Sequence, residues 1–187
     1  MELVEHPRRP VRLDGEQLAP HPDAREADCI VWFPVPDAVE GGPEAEGVPA
    51  KRLDGDRARL CAIPLFPYHA ALGDEVQVRE QDGSIYCVEV VRAAPVIVAR
   101  IFHEGGEVPT EQAISDPSSD EPFWKIARAL APHGVWFERY STTYAALLIE
   151  PDEWEYVRAF LDLRQRATSL RYEVATPLRV PGAGDAN

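Results

Sequence analysis

A chain of 187 residues with 45% hydrophobic content has enough apolar material for one domain or two small ones. Its 32 acidic residues against 19 basic ones leave a net charge of −13, which disfavours nucleic acid and suits either plain solubility or a basic protein partner. No apolar run approaches the ~18 residues of a membrane span, and the charged, proline-bearing start Met1–Pro10 lacks a signal peptide's apolar stretch, so a cytoplasmic protein is expected.

Residues 1–27 are rich in Pro, Arg, Asp and Glu without a sustained period and read as an N-terminal arm, partly disordered. The first strand is expected at Cys29–Pro34, apolar throughout. Residues 36–47, with Gly41-Gly42 and two prolines, read as a loop. Two hairpins follow. Val48–Leu53 and Arg57–Ile63 flank Asp54-Gly55; Glu75–Glu80 and Ser84–Arg92 flank Asp82-Gly83. Both dipeptides tolerate the positive φ of tight turns. Between the hairpins Pro64 and Pro67 prevent a regular central strand, and Gly73-Asp74 reads as a turn. About five short strands over residues 28–94 suit a small SH3-like β-barrel, with a curled open sheet as the alternative.

The rhythm changes at Pro95. Val96–His103 is a β-branched strand, and residues 104–119 form a long acidic loop rich in Gly, Pro and Ser. A helix is expected from Pro122, with Asp120 and Glu121 at its positive end and Phe123, Ile126, Ala127 and Leu130 on its inner face. Val135–Tyr140 and Tyr144–Glu150 pair across Ser141-Thr142-Thr143. Pro151 opens a second helix with Trp154, Val157, Phe160 and Leu161 inward, and Leu170–Ala175 is the last strand. Strand, helix, strand, strand, helix, strand is the ferredoxin-like order over residues 95–176, with an antiparallel sheet and both helices on one face. The other face needs a cover: the barrel, a partner, or a second copy in a homodimer. Residues 177–187 are a tail. The expected fold class is thus α+β, a small SH3-like barrel followed by a ferredoxin-like half.

The stretch Ile63-Pro-Leu-Phe-Pro-Tyr-His-Ala-Ala-Leu-Gly-Asp-Glu-Val76, with the later Ile101-Phe-His-Glu104, resembles the bacterial family catalogued as domain of unknown function 4265. That family shows an Ile-Pro-hydrophobic-Phe segment, a Leu-Gly-Asp turn, a Val-hydrophobic-Phe strand and then an α/β half. The resemblance covers roughly residues 28–176 and departs from the family in the N-terminal arm and the long acidic loop. It implies this domain order and no activity.

Candidate binding residues are Phe66, Tyr68, His69 and Asp74 in the proline-braced loop, and His103 and Glu104 at the end of the strand after Pro95. A histidine beside a carboxylate can work as an acid/base pair near neutral pH. The competing reading is a Pro-aromatic plug closing the barrel. His69 and His103 could meet at the seam between the halves, yet no metal-ligand spacing links them, and neither a metal nor a cofactor is implied. The acids Glu104, Glu107, Asp116, Asp120 and Glu121 do not match an EF-hand and read as a solvated face. Ser141–Thr143 reads as a turn, His133 as a helix-terminal residue, and His6 and His21 as solvated arm residues. Cys29, Cys61 and Cys87 lack a Cys-x-x-Cys pair and read as reduced, core-filling thiols. Two functions fit these features. One is a non-enzymatic acidic interaction or accessory protein that grips a basic protein or peptide. The other is a small enzyme or small-molecule-binding protein with its pocket between the halves.

Overall fold

In the computed structural model the described residues are 3–5, 9–35, 44–104 and 116–174. They build an α+β fold of two mainly antiparallel, six-stranded sheets with two helices.

The first sheet contains β1 (Leu3–Glu5), β4 (Cys29–Pro34), β5 (Ala45–Arg52), β6 (Arg57–Leu60), β7 (Glu75–Gln81) and β8 (Ser84–Arg92). Strands β4 to β8 close into a ring. Antiparallel pairs link β4–β5, β5–β6, β6–β7 and β7–β8, and a short parallel pairing of Val31 with Ile85 and Trp32 with Tyr86 joins β8 back to β4. Inside the ring lie Val31, Phe33, Val48, Ala50, Ala58, Leu60, Val76 and Val78. The β7–β8 turn is Asp82-Gly83 with φ of 53° and 77°, the geometry expected of a two-residue hairpin. Two irregularities in this pair skip Val88 and Val91, which are the exposed valines of β8.

The second sheet has the order β12-β9-β11-β10-β2-β3. Its strands are β2 (Val11–Asp14), β3 (Gln17–Pro20), β9 (Ile97–His103), β10 (Trp136–Arg139), β11 (Tyr144–Ile149) and β12 (Leu170–Val174). Helices α1 (Pro122–Leu130) and α2 (Trp154–Ala167) cover one face of it. There Ile97, Ala99, Ile101, Phe137, Ala145, Leu147 and Ile149 pack against Phe123, Trp124, Leu130, Val157 and Leu161. The opposite face, with Val98, Ala146 and Leu148, is covered by Ile63, Leu65, Ala71 and Leu72 from the segment between β6 and β7. Of the three covers considered for this face, the barrel half, a partner or a second copy, the first is what the described residues supply, through the segment that leads out of β6.

Three expectations need correction. Residues 1–27, read as an arm, contribute β1 parallel to β5 and the hairpin β2–β3, which meets β10 at Val11 and Phe137. A hairpin of two four-residue strands is too short to show a period, and it is held by the sheet edge it extends. Residues 45–47, read as loop, begin β5, because Gly47 must fit beneath Ile30 and Trp32. A Cβ at Gly47 would stand 2.8 Å from Ile30 Cγ2, so small size rather than turn formation explains this glycine. Glu121 does not serve the dipole of α1; its carboxylate turns inward to Arg139. The tail 177–187 lies outside the described residues, as does most of the 104–119 loop.

Leu147→Ala, at the centre of the sheet and 1% exposed, should cost about 2–5 kcal/mol of stability by urea denaturation. Gly47→Ala should cost about 1–3 kcal/mol through overpacking against Trp32.

Candidate functional site

Residues 63–67 form no ladder hydrogen bonds, because Pro64 and Pro67 lack N–H groups, yet most of the segment is buried. Buried backbone groups need partners, and here side chains from both sheets supply them. Glu138 of β10 accepts the Ile63 N–H at 3.0 Å. Glu46 of β5 accepts the N–H groups of Leu65 at 2.9 Å and Phe66 at 2.8 Å. Arg100 of β9, fully buried, donates to the carbonyls of Pro64 at 3.1 Å, Pro67 at 2.8 Å and Leu65. The Tyr144 hydroxyl donates to the same Leu65 carbonyl at 2.7 Å. Burial lowers the Arg100 guanidinium from its ordinary value, while Tyr144, Tyr68, Glu46 and Glu173 oppose that effect.

The Leu-Gly-Asp turn has an equally specific role. Leu72 enters the shared core. Gly73 has φ of 88°, and a Cβ there would press on Ala94 at 3.2 Å. Asp74, fully buried, accepts the Ala71 N–H at 2.9 Å and the Ala94 N–H at 2.7 Å, which ties the turn to the residues just before Pro95. Asp74 is thus a structural carboxylate.

Outward from this buried strut lies an aromatic surface. The Tyr68 ring sits over the Arg100 guanidinium at 4.2 Å, and its hydroxyl bonds Glu173. Burial, followed by the bond to Glu173, raises Tyr68 to about 12. Phe66 meets Tyr140 edge-on at 5.1 Å and stacks with Tyr144 at 5.9 Å. Tyr68 and Tyr140 remain 45% and 37% exposed, so the rings offer area to a partner.

The expected site residues therefore divide. Phe66 and Tyr68 share the aromatic surface. His69 is exposed and tilts toward Phe33 at 6.0 Å. Asp74 is committed to two backbone N–H groups. His103 does not join them. Strand alternation places it with Ile101 and Ala99 on the helix-covered face, whereas Arg100 and Tyr144 point to the other. There it borders a recess with Ile101, Phe123 and Thr142 that has no room for a water molecule. A His69–His103 pair at the seam is excluded by that parity. Glu104 forms an exposed ion pair with Arg171 at 3.1 Å.

Among the described residues, the others singled out earlier also have structural partners; His6 and Glu107 lie outside the described residues. Asp116 binds Ser118, Asp120 lies 3.6 Å from Lys125, and Glu121 makes a buried two-pronged pair with Arg139, both contacts 3.0 Å. Arg139 lies over the Phe123 ring. His133 contacts Glu153 at 2.7 Å and stacks on Tyr156. His21, expected to be solvated, packs its ring edge on Trp136 at 4.5 Å. All three cysteines are free thiols. Cys61 is buried, the other two are half-buried, and burial raises them to about 11 for Cys29 and Cys61 and about 12 for Cys87. Protonated thiols of this kind are poor nucleophiles at neutral pH. Among the described residues no helix is long and apolar enough to cross a membrane.

Glu46, Arg100, Glu138 and Tyr144 were not anticipated. One signal existed for Arg100: it is the lone charge in the apolar run Val96–Phe102.

The family model described as "Domain of unknown function (DUF4265)" matches residues 46–172, from the Glu46 of the strut to β12. The chain belongs to this family. The DUF4265 match encloses Glu46, Arg100, Glu138 and Tyr144, while Glu173, which bonds Tyr68, falls just beyond it. A hypothetical protein from Neisseria gonorrhoeae has a similar fold, with a TM-score of 0.59 and 15% identity over 81% of this chain and 94% of that one. No curated protein matches the chain.

Arg100→Met should destabilise the protein by about 3–5 kcal/mol in urea, since three buried carbonyls lose a charged donor. Arg171→Met, at an exposed pair, should cost under about 1 kcal/mol. Burial lowers His103 and His21 below the ordinary histidine value of 6.5. The unfolded chain then binds more protons than the folded one near and below that value, so stability should fall as pH drops through it. His103→Gln should reduce this dependence of the urea midpoint; an unchanged slope would remove His103 as a source.

Proposed function

We propose that this DUF4265 member is a non-enzymatic interaction protein that binds a basic protein or peptide segment through the surface of Phe66, Tyr68 and Tyr140. The supporting observation is the fate of the groups that catalysis would need. Asp74 is engaged by two backbone N–H groups, His103 faces the helices, and the seam is packed with Ile63, Leu65, Val98 and Leu148. What the seam presents outward is exposed tyrosine beside Glu173, in a chain of net charge −13. Arginine and lysine side chains stack on such rings and pair with such acids. The acidic stretch that begins at Glu104 leaves the sheet end where Phe102 pairs with Tyr144. The reading extends to architecture and place: the closed ring supports an SH3-like barrel, the order β12-β9-β11-β10 supports a ferredoxin-like half, and the cytoplasm suits both.

The alternative, a small enzyme or small-molecule-binding protein with a pocket between the halves, is less favoured, since Asp74 bonds two backbone N–H groups and strand alternation puts His103 on the helix-covered face. A fluorescent arginine-rich peptide should bind the full chain at low salt and weaken as salt screens the charges. Tyr68→Ala/Tyr140→Ala should weaken it about ten-fold by anisotropy. Equal affinity in the variant, or no binding at low salt, would overturn the proposal.

A further inference from the structure

A cleft of about 390 Å³ opens where the short turn Pro22–Arg25 lies against the barrel, apart from the seam. That volume is within the range of small-ligand sites, about 300–1,000 Å³. Much of its lining is small and apolar, including Pro10, Ala24, Pro49 and Ala62. Charge comes from Arg9, Arg25 and Asp28.

Most arginines of the described residues have a side-chain partner; Arg9, Arg25, Arg79 and Arg166 have none, and of these four Arg9 and Arg25 line a common cleft. Carboxylates exceed basic groups by 32 to 19, so a surface arginine finds an acid easily. Arg52 pairs with Glu80, Arg57 and Arg92 with Glu75, and Arg59 with Glu26. Arg12 and Arg164 lie over rings instead. Among the described residues, the side chains of Arg9 and Arg25 have no such contact, and both face one cleft. Asp28 is partly engaged, since its Oδ1 accepts the Arg52 N–H at 2.8 Å. Among the described lining residues two guanidinium groups stand against one carboxylate, with Asp23 and Glu26 nearby and Glu26 already paired with Lys51 and Arg59.

We propose that this cleft binds a small amphipathic anion, with Arg9 and Arg25 taking a single carboxylate or phosphate group and the alanine and proline walls taking an apolar body. Guanidinium groups suit either head, through paired charge-assisted hydrogen bonds. Cys29 and Cys61 also reach the cleft and act there as small apolar groups, since both thiols stay protonated. None of the described residues lining this cleft belongs to the aromatic surface of Phe66, Tyr68 and Tyr140, so the two proposals concern different sites.

The test uses the full chain with octanoate and phenyl phosphate as separate probes, read by calorimetry. Inorganic phosphate and octanol represent the head and the body alone. At least one amphipathic probe should bind, and which one binds identifies the head group. Each half-probe should bind at least about ten-fold more weakly. Arg9→Ala/Arg25→Ala should weaken the probe at least about ten-fold, while Arg79→Ala/Arg166→Ala, which removes two exposed charges elsewhere, should not. Bound probe should also slow alkylation of Cys29 by N-ethylmaleimide, followed by mass spectrometry. Thermal melts check that the exposed-arginine variants remain folded. Failure of both probes to bind, an undiminished affinity in Arg9→Ala/Arg25→Ala, or an equal loss in the control variant would overturn the proposal.

Discussion

The structure depends on how residues 63–67 are buried. An irregular segment with two prolines cannot join a sheet, yet it occupies the space between two sheets. Its backbone groups would be left without partners in an apolar layer, at about 1–3 kcal/mol for each. Glu46, Glu138, Arg100 and Tyr144 remove that penalty, and they come from β5, β10, β9 and β11 respectively. Burying these charges is itself expensive, and it is tolerable because each is aimed at opposite partial charge on the backbone. The segment therefore acts as a strut that both sheets must grip at once.

This explains why neither half looks self-sufficient. Removing the second sheet would strip Arg100 and Glu138 from the segment; removing the barrel would strip Glu46. The apolar contacts follow the same division, with Ile63, Leu65, Ala71 and Leu72 facing Val96, Val98, Ala146 and Leu148. Asp74 adds a second tie at Ala94, immediately before the chain enters β9. The Ile-Pro-Leu-Phe and Leu-Gly-Asp segments are thus two ends of one joint. A motif that invites a catalytic reading can be distinctive because its backbone needs unusual support.

Much of the fold was legible in the sequence because local rules determine it. Asp82-Gly83 specifies its hairpin, Pro122 and Pro151 mark the helix starts, and the apolar spacing of Phe123, Ile126 and Leu130 gives the buried face of α1. The site was less legible because it is made by tertiary contacts. Tyr68 and Phe66 stand out by type, but nothing near Glu46 in sequence indicates that it will serve Leu65 and Phe66. The position of His103 could have been read. A period of two places it opposite Arg100 across the sheet, so one of the two must face the helices. The hairpin at Val11–Pro20 is not legible in the sequence, since its pairing with β10 rests on a single register pair.

Charge placement connects the joint to the surface. The buried carboxylates Glu46, Asp74 and Glu138 are used inside on backbone N–H groups, and Glu121 on Arg139. Arg100 does two jobs: its donors hold the strut, and its flat face supports Tyr68 from beneath. Tyr68 is in turn oriented by Glu173. An exposed tyrosine held at both ends loses little conformational freedom when a partner covers it, which favours binding through that ring. The same buried arginine that joins the two sheets thereby prepares the surface that a basic partner would meet.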